Sequence, residues 1–568
     1  MQSPLTPIVH HVEHVQADHG VDRRSGRASP RLALVPNVAV VIVTWNRREA
    51  LEGVLRAIAA QRYPVERLDV VVIDNASKDA TSEHLLERWK PERVVHNSTD
   101  RAHEPRFEVR VGGEGTNLAG FRSLSIVRNS ENHGGCGGFN TGFAFVERVL
   151  DDEANPSRPD YVWLVDDDVD LPDDALSRMV EVGEADETIG IVGSRTVDLN
   201  DRRTTIETTI YYNDRRGRMS DTPPPHHRLR ESHDRWIDEI GGTKGERAFG
   251  GVRDVDVVSA CSLLARWSSV RRVGYWDHRF FIYCDDADWC LRFRRAGLRV
   301  VVNLDAVVFH TPWFQKLTPA RVYYSQRNAV WVAQKMHGAL RRRLAVGRWL
   351  ASIMFDCLLA AFHRRLFHAE IIRRTAADAI LGRGGRLEND GPERRPLLES
   401  LERIGALRAD ATLAVLCADE GMIESADLVR AQVTHSLIAR GRAHDQPRWV
   451  YIVGSDIHDK DHEHSAPEVS LPERVRHTRR LRSRLFRQAG FLRRPPEGVI
   501  VFDQIATFPL LRGAYNIHID RKWIDRAQIE RDSLARRAAF LGRWIGTGVL
   551  CALHLALNRR HVSGSRYG

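Results

Sequence analysis

The chain has 568 residues, of which 42% are hydrophobic and 28% are charged, and its formal net charge is +9. This length is enough for about two to four domains, and the hydrophobic share excludes a disordered protein. The seven cysteines are scattered without a CxxC pair, which excludes a zinc ribbon and a disulfide-stapled secreted fold.

The composition of the chain changes at Val38, from polar to alternating apolar and helical segments. Residues 1–36 are polar and predict a flexible tail without the apolar core of a signal peptide. Beyond them, the apolar runs VAVVIVTW and LDVVVIDNAS are each followed by a stretch with helical spacing. This alternation predicts βαβ units around a Rossmann-like, mostly parallel sheet, in an α/β domain over residues 37–315. Within that domain, the polar, turn-rich residues at about 200–250 predict a surface excursion.

The second half of the chain predicts two further regions. Residues 316–385 have helical periodicity with basic faces, and residues 386–568 predict a smaller α/β region with amphipathic helices. The apolar stretches at 344–362 and 540–557 contain internal charge or histidine. They are interpreted as core or interfacial helices and not as membrane spans.

Three adjacent carboxylates, Asp166, Asp167 and Asp168, directly follow the apolar strand YVWLV. On an extended strand end, residues i and i+2 point the same way, so Asp166 and Asp168 can address one site. Mg²⁺ and Mn²⁺ prefer such oxygen ligands, and ligands collect at the carboxyl ends of parallel strands. A solvated acidic turn is the alternative interpretation.

A second acidic group lies in FFIYCDDADWCLRFRRAG, where Asp285, Asp286 and Asp288 begin a predicted helix. Carboxylates at a helix start are commonly caps, and Asp286 or Asp288 fits that role. Carboxylates beside aromatic residues can also act as a general base, since desolvation raises their proton affinity.

Two other features stand out. His310 ends a strand-like run, where a histidine is usually structural, but beside an aspartate pair its imidazole would complete a shell that suits Mn²⁺. NHGGCGGFNTGF (132–143) places four glycines around Cys136 and runs into a predicted helix. Glycines allow a backbone to approach a ligand closely, and a helix N-terminus favours anions, although a flexible turn explains the pattern equally well.

In order along the chain, TWNR (44–47), VIDNAS (72–77), NHGGCGGFN (132–140), the Asp166–Asp168 triplet, CDDADWCLR (284–292), His310 and YYSQRN (323–328) resemble family 2 glycosyltransferases of the GT-A fold. The resemblance covers about residues 38–330. It is greatest to the actinobacterial galactofuranosyltransferases of cell-wall galactan synthesis and to bacterial rhamnosyltransferase-like enzymes.

The resemblance implies a role for each matching residue. Asp166, Asp168 and His310 would hold Mn²⁺ or Mg²⁺, with Asp167 beside them in the donor site. Asp285 would be the base that deprotonates the acceptor hydroxyl, with Asp286 as its neighbour. The nucleotide, its diphosphate and the donor sugar would lie along a larger set of residues, namely Thr44, Asn46, Arg47, Asp74, Asn75, Arg128, Asn132, Gly134, Gly135, Gly137 and Gly138.

One base and one metal, without an enzyme nucleophile, predict single displacement with inversion. The expected partners are a UDP- or dTDP-sugar donor, carrying galactofuranose or a rhamnose-like sugar, and a lipid-linked glycan acceptor. The basic stretches at about 340–375 and 471–494 predict contact with an anionic membrane surface. The expected location is therefore the inner face of the cell membrane, with a homo-oligomer as a further expectation and nucleic acid excluded for lack of a recognition module.

Two alternatives stay open at this point. A sugar-1-phosphate nucleotidyltransferase would use the same acids, but VAVVIVTWNRRE lacks the glycine-rich basic motif expected near its first strand. A non-catalytic scaffold that binds sugar nucleotides or polysaccharide would tolerate loss of Asp166, Asp168 or Asp285, and all three are present.

Overall fold

The computed structural model describes most of the chain, with gaps mainly at the two ends and in the C-terminal third. The described residues are 10–11, 35–99, 101, 104–111, 117–152, 157–240, 249–312, 318–362, 365–388, 394–417, 420–454, 472–477, 495–502, 513–521, 523–531 and 533–557. Most of the predicted N-terminal tail therefore lies outside them, as do residues 478–494 of the second basic stretch.

The first part of the chain, up to His310, alternates strands and helices around one large sheet. Its strands are β1 (His10–His11), β2 (Val38–Thr44), β3 (Leu68–Asp74), β4 (Arg93–Asn97), β5 (Phe107–Val111), β6 (Ser123–Asn129), β7 (Tyr161–Asp166), β8 (Ile189–Asp198), β9 (Thr204–Glu207), β10 (Tyr211–Asn213), β11 (Arg218–Ser220), β12 (Val252–Asp254), β13 (Ser262–Arg266) and β14 (Arg299–His310). Its helices are α1 (Arg48–Ala59), α2 (Thr81–Trp89), α3 (Gly134–Phe145), α4 (Ala175–Ala185), α5 (Arg230–Ile240), α6 (Trp267–Val273) and α7 (Asp285–Arg295).

The sheet order is β1-β9-β8-β13-β7-β2-β3-β6-β4-β5, with β14 also paired to β8, and β12 to β14. The central strands β7, β2, β3, β6 and β4 are parallel neighbours, and β13 joins β7 to β8 in the antiparallel sense. This confirms the predicted α/β class with a parallel centre.

The apolar run of β2 explains why this strand is central. Val38, Val40 and Ile42 enter the core on one face of the sheet, and Ala39 and Val41 enter the core on the other. Successive strand side chains alternate between faces, so a strand covered on both sides needs a continuous apolar run.

The prediction of a surface excursion at about 200–250 is wrong. This stretch contains β9, the hairpin β10–β11 and α5, and Tyr211, Tyr212 and Trp236 are buried in the main core. Its many polar residues are interspersed with a few large buried aromatic residues. The polar composition of the stretch therefore suggests more exposure than the structure shows.

Three helices follow the sheet: α8 (Pro319–Met336), α9 (Ala339–Phe362) and α10 (Leu366–Leu381). They confirm the predicted helical segment. A smaller sheet then has the order β15-β21-β20-β19-β16-β17-β18, with β18, β17, β16, β19 and β20 parallel. This confirms the predicted C-terminal α/β region.

The elements of the C-terminal region are β15 (Arg395–Pro396), α11 (Leu397–Arg403), β16 (Thr412–Cys417), α12 (Glu420–Ala439), β17 (Arg448–Gly454), β18 (Glu473–His477), β19 (Gly498–Phe502), β20 (Tyr515–Asp520), β21 (Trp523–Arg531) and α13 (Leu534–Leu557). The last helix packs back on the helical segment, because the indole of Trp544 donates to the carbonyl of Met354 at 3.0 Å. By length and composition, α9 and α13 are each long and apolar enough to cross a membrane.

Candidate functional site

The parallel strands bring polar residues to one edge of the sheet. Thr44 at the end of β2 pairs in register with Asp74 at the end of β3, and Asp166 ends the neighbouring β7. Ligands of open α/β sheets bind at this carboxyl edge. The predicted site residues of the first two strands and of the acidic triplet therefore share one location.

Asp166, Asp168 and His310 form a group that could hold a metal ion, with ligand atoms that all lie within 4.8 Å of one another. The imidazole Nε2 of His310 lies 3.2 Å from a carboxylate oxygen of Asp168 and 3.8 Å from one of Asp166. Adjacent ligands of an octahedral Mg²⁺ or Mn²⁺ ion are about 3 Å apart, so the spacing and the oxygen and nitrogen donors fit such an ion.

A backbone contact holds the aspartates of this metal-binding group next to His310. Asp170, just after the triplet, exchanges two backbone hydrogen bonds of 2.9 Å with Phe309. The loop after β7 is thereby held against the last residues of β14, and His310 follows Phe309 directly. Residues far apart in sequence are brought together by backbone geometry that involves none of the ligand side chains.

Arg47 neutralises part of the negative charge of the three aspartates. Its Nη1 lies 2.8 Å from carboxylate oxygens of both Asp167 and Asp168. Burial, with the charge of Asp168, raises the pKa of Asp167 to about 6, although Arg47 opposes that shift. Asp166 and Asp168 thus both face His310, as predicted, and Asp168 contacts Arg47 as well.

The segment before Asp285 is held in an unusual backbone conformation. Phe281, Tyr283 and Cys284 have φ angles of 67°, 69° and 59°, in the left-handed region that side chains disfavour. Such residues persist only where their surroundings hold them, and they cluster at functional sites. We call residues 279–284 the catalytic loop after the predicted role of Asp285, which follows it at the start of α7.

Two neighbouring residues of α8 hold the catalytic loop. The amide of Asn328 donates to the carbonyls of Phe280, Ile282 and Tyr283 at 3.0, 2.8 and 2.8 Å. Arg327, which is fully buried, donates to the carbonyls of Arg279 and Phe280 at 3.1 and 2.8 Å. The YYSQRN motif therefore ends in a clamp on the loop backbone, a role that its sequence did not reveal.

The three acids of α7 separate into two environments. Burial and the neighbouring Asp286 raise the pKa of Asp285 well above its usual range. The pKa of Asp286 is raised to about 7, mainly by burial, with Glu207 and Asp166 adding to the shift. The charge of Asp166 acts on both groups, so they lie near the metal-binding group.

Asp288 is different, because its carboxylate is paired. The ammonium of Lys335 lies 2.7 Å from it and the guanidinium of Arg292 lies 3.1 Å from it. Asp288 is almost fully buried and ties α7 to α8. It is therefore structural, and Cys284 occupies the helix N-cap position where a capping carboxylate was an alternative.

Glu207, at the end of β9, is the site residue that the sequence analysis missed. Burial raises the pKa of its carboxyl group, and the charge of His310 opposes this shift. Glu207 in turn raises the pKa of Asp286. It escaped notice because it lies in the polar stretch interpreted as a surface excursion, with no neighbouring acid to mark it.

The glycine segment lies inside α3, where its glycines serve packing. A Cβ on Gly134 would overlap the carbonyl oxygen of Phe281, and a Cβ on Gly138 would overlap Val43 of β2. Gly135 has open space around its Cα, and Gly137 is buried in the helix. The glycines thus let α3 approach both β2 and the catalytic loop.

Asn75 organises the entry to that helix. Its amide donates to Asn132 at 3.1 Å and to the carbonyl of Gly134 at 2.9 Å, and its oxygen accepts from the backbone of His133 at 3.1 Å. Asn75 is buried, and its side chain holds the segment that enters α3 in place.

The remaining predicted donor-site residues form local contacts. Asp74 accepts hydrogen bonds from the backbone of Ser77 and the hydroxyl of Ser82. Asn46, with a φ of 53°, accepts from the backbone of Lys78 at 2.6 Å. Arg128 pairs with Glu83 at 3.3 Å. They lie around the ends of β2, β3 and β6, and their contact with a nucleotide stays a prediction.

A model of the family described as "Glycosyl transferase family 2" matches residues 39–112 and 117–237. This part of the chain is therefore similar to family 2 glycosyltransferases. The matched residues include the acidic triplet and Glu207 and end before the catalytic loop, Asp285 and His310.

Known proteins resemble parts of the chain. A stretch of 49 residues is 39% identical to glycosyltransferase AglE of Haloferax volcanii, covering 9% of this chain and 16% of that relative. The mannosyltransferase PcManGT of Pyrobaculum calidifontis, solved with GDP-Man and Mn²⁺, is 16% identical with a TM-score of 0.35, over 63% of this chain and 91% of that chain. TarS of S. aureus is 13% identical with a TM-score of 0.36, over 61% and 81%.

Proposed function

We propose that this protein transfers a sugar from a nucleoside-diphosphate donor to an acceptor hydroxyl with inversion, because residues 39–112 and 117–237 match family 2 glycosyltransferases. One observation carries the proposal. A group that could bind a cation (Asp166, Asp168 and His310) lies near a carboxyl pair with raised pKa values (Asp285 and Asp286), because the charge of Asp166 contributes to the shift of each carboxyl.

The carboxyl pair supplies the base. Two adjacent buried carboxyls titrate as a unit, and a pair that holds a single proton leaves one carboxylate free to accept another. A pKa near the working pH is the best compromise for proton transfer. Asp285, at the exit of the catalytic loop, takes the proton of the acceptor hydroxyl, and Asp286 shares the charge.

Arg47 and the metal-binding group act on the donor. A bound divalent ion would neutralise negative charge on the leaving diphosphate. Arg47, beside Asp167 and Asp168, adds a fixed guanidinium at the same edge. The Arg327–Asn328 clamp keeps Asp285 at a constant position relative to these groups, which favours direct displacement without a covalent enzyme intermediate.

The motif set over residues 38–330 supports galactofuranose or a rhamnose-like sugar as the transferred group and a lipid-linked glycan as the acceptor. The net charge of +9 supports a location against the anionic inner face of the cell membrane. In this proposal the product is a cell-surface or cell-wall polysaccharide, and the chain works as a peripheral membrane enzyme.

The test is a screen of nucleoside-diphosphate sugars with purified protein and Mn²⁺ or Mg²⁺, measuring release of nucleoside diphosphate. Asp285→Asn should bind the donor as the wild type does and lose transfer, while Asp410→Asn, an exposed aspartate of the C-terminal region, should keep it. Pyrophosphate release from a sugar 1-phosphate and a nucleoside triphosphate would instead identify a nucleotidyltransferase. Full activity of Asp285→Asn would refute the assignment of the base.

A further inference from the structure

The long helix α9 exposes an apolar stripe over its second half. After Arg348, its solvent-facing positions are Ala351, Phe355, Leu358 and Phe362. The two phenylalanines are each 61% exposed. A surface helix normally turns charged residues to water, so this stripe is the reverse of the usual pattern.

The C-terminal helix α13 is apolar on its exposed face over a longer stretch. From Trp544 to Leu557 the sequence contains no acidic or basic residue except His554, which is buried. Ile545, Val549, Leu553 and Leu557 are 53%, 54%, 53% and 58% exposed. Only a narrow ridge of this helix, including Thr547 and Cys551, packs on the protein.

These two faces form one surface. Besides the contact of Trp544 with Met354, Thr547 of α13 accepts a hydrogen bond from Arg373 of α10 at 2.8 Å, and Leu555 lies beside Gly347 of α9. The two helices therefore run antiparallel side by side. We call their exposed apolar residues the apolar platform: Phe355, Leu358 and Phe362 of α9 and Ile545, Val549, Leu553 and Leu557 of α13.

The packing of α9 shows that it lies along the protein. Its other face is buried at Ala345, Trp349, Ile353 and Cys357, one position in every turn. The helices before and after it also contact each other, since Tyr323 of α8 donates to Asp378 of α10 at 2.9 Å. A helix that crossed a bilayer would have to leave these neighbours.

An arginine-rich cleft borders the N-terminal half of α9. It encloses about 500 Å³, and its lining includes Arg215, Arg216 and Arg218 of the β10–β11 hairpin and Arg230 at the start of α5, which also pairs with Asp234 at 2.7 Å. The hairpin is fastened to α9, because the indole of Trp349 donates to the carbonyl of Gly217 at 2.7 Å. Positive charge and exposed apolar surface thus meet on one helix.

We propose that the apolar platform and the arginine cleft together form a membrane-docking surface, in which α9 and α13 lie in the plane of an anionic leaflet. The cleft takes the phosphodiester of an anionic phospholipid, and the platform enters the acyl boundary. A second copy of the chain would bring another arginine cleft towards the first, whereas anionic headgroups complement it. This proposal extends the membrane location given above and is independent of whether the enzyme transfers sugar.

Vesicle co-sedimentation of the full chain without donor tests it. The wild type should bind vesicles of phosphatidylglycerol and phosphatidylcholine and be released by carbonate at high pH. Ile545→Glu with Val549→Glu should lower binding at least tenfold. Leu428→Glu, on α12 at a residue that is 59% exposed, is the matched control and should bind as the wild type does.

A second variant tests the arginine cleft. Arg215→Gln with Arg216→Gln should remove the preference for phosphatidylglycerol over pure phosphatidylcholine, and Arg403→Gln, an exposed arginine of α11, should keep it. No vesicle binding by the wild type, or retention after carbonate, would overturn docking in the plane of the leaflet. A dimer that Ile545→Glu with Val549→Glu dissociates, without loss of vesicle binding, would assign the platform to self-association. Nucleoside diphosphate release is measured in parallel, so failure of the proposed transfer is scored separately.

Discussion

Arg47 and Asp168 are joined by a contact of 2.8 Å between guanidinium and carboxylate, although they follow different strands of the sheet. The same guanidinium reaches Asp167 at an equal distance. Asp168 therefore lies between a permanent cation of the protein and the imidazole of His310. Without this arginine, three adjacent carboxylates at one strand end would repel one another with little compensation.

Arg47→Ala should weaken donor use. Removing a charged hydrogen-bond partner costs roughly 1.5–3 kcal/mol, so the donor KM should rise roughly ten- to hundredfold. Steady-state release of nucleoside diphosphate measures this. Arg62→Ala, at an exposed arginine three residues after the end of α1, should leave the KM unchanged, and an unchanged KM for Arg47→Ala would exclude a donor role.

Asp166→Asn should raise the metal concentration needed for half-maximal activity by about tenfold or more, because even outer partners of metal ligands are worth about 10–100-fold in affinity. Titration of activity with Mn²⁺ measures the change. His310→Gln should shift the titration in the same direction. If both variants retained the wild-type titration, the ion would have to bind elsewhere.

Asn328→Asp should reduce kcat through the catalytic loop. The substitution keeps an oxygen towards Arg327 but removes the amide that donates to three carbonyls, so the left-handed residues lose their support. We expect kcat to fall roughly ten- to hundredfold, from about 1–3 kcal/mol of lost stabilisation, with the donor KM within about twofold. The exposed Asn200→Asp is the control. A KM effect alone would contradict a positioning role.

The carboxyl of Asp286 makes stability depend on pH. Its pKa is raised to about 7 in the folded chain, so the folded state holds more protons than the unfolded state between about pH 4 and 7. Its contribution to stability is complete below pH 4 and is lost as the pH rises through 7. Asp286→Asn should therefore melt near the wild-type Tm at pH 5 and several degrees above it at pH 8, without added metal. Parallel Tm curves would contradict the raised pKa.

Glu207→Gln should move the acid limb of the pH–rate profile. Glu207 raises the pKa of Asp286, so a neutral side chain of the same size should lower that pKa. The rate should then reach its plateau at a lower pH, while Glu239→Gln, on α5, should leave the profile in place. An unshifted profile would place Glu207 outside the reacting group.

The sequence predicts the sheet well because burial on both faces requires continuous apolar runs, as in β2 and β3. It also predicts the grouping of Asp166, Asp168 and His310, which the structure brings together, although ion binding there stays a prediction. Contacts made by neutral amides and by isolated acids were not predictable. Asn328 belongs to the YYSQRN motif, but its action on the distant loop backbone does not follow from the motif, and Glu207 has no local pattern that marks it.

Asp288 is a second example of a role that the sequence does not predict. In the sequence it stands with Asp285 and Asp286 as one acidic run, and only the position of Lys335 on α8 separates it from them. Spacing along one helix places side chains on a face, but the partner that neutralises a charge comes from another element.

The clamp on the catalytic loop and the apolar platform are linked through α8. Asn328 lies two turns before α8 ends at Met336, and α9 begins at Ala339, so the clamp is about 12 Å along the axis from the end of the helix. Because α8 also shares a core with α9, through Ala329 and Ala333 on one helix and Ala345 on the other, this connection holds the clamp in a fixed position relative to the apolar platform. If the platform rests on a leaflet and Asp285 is the base, acceptors would then be selected by how far their reactive hydroxyl stands from the lipid.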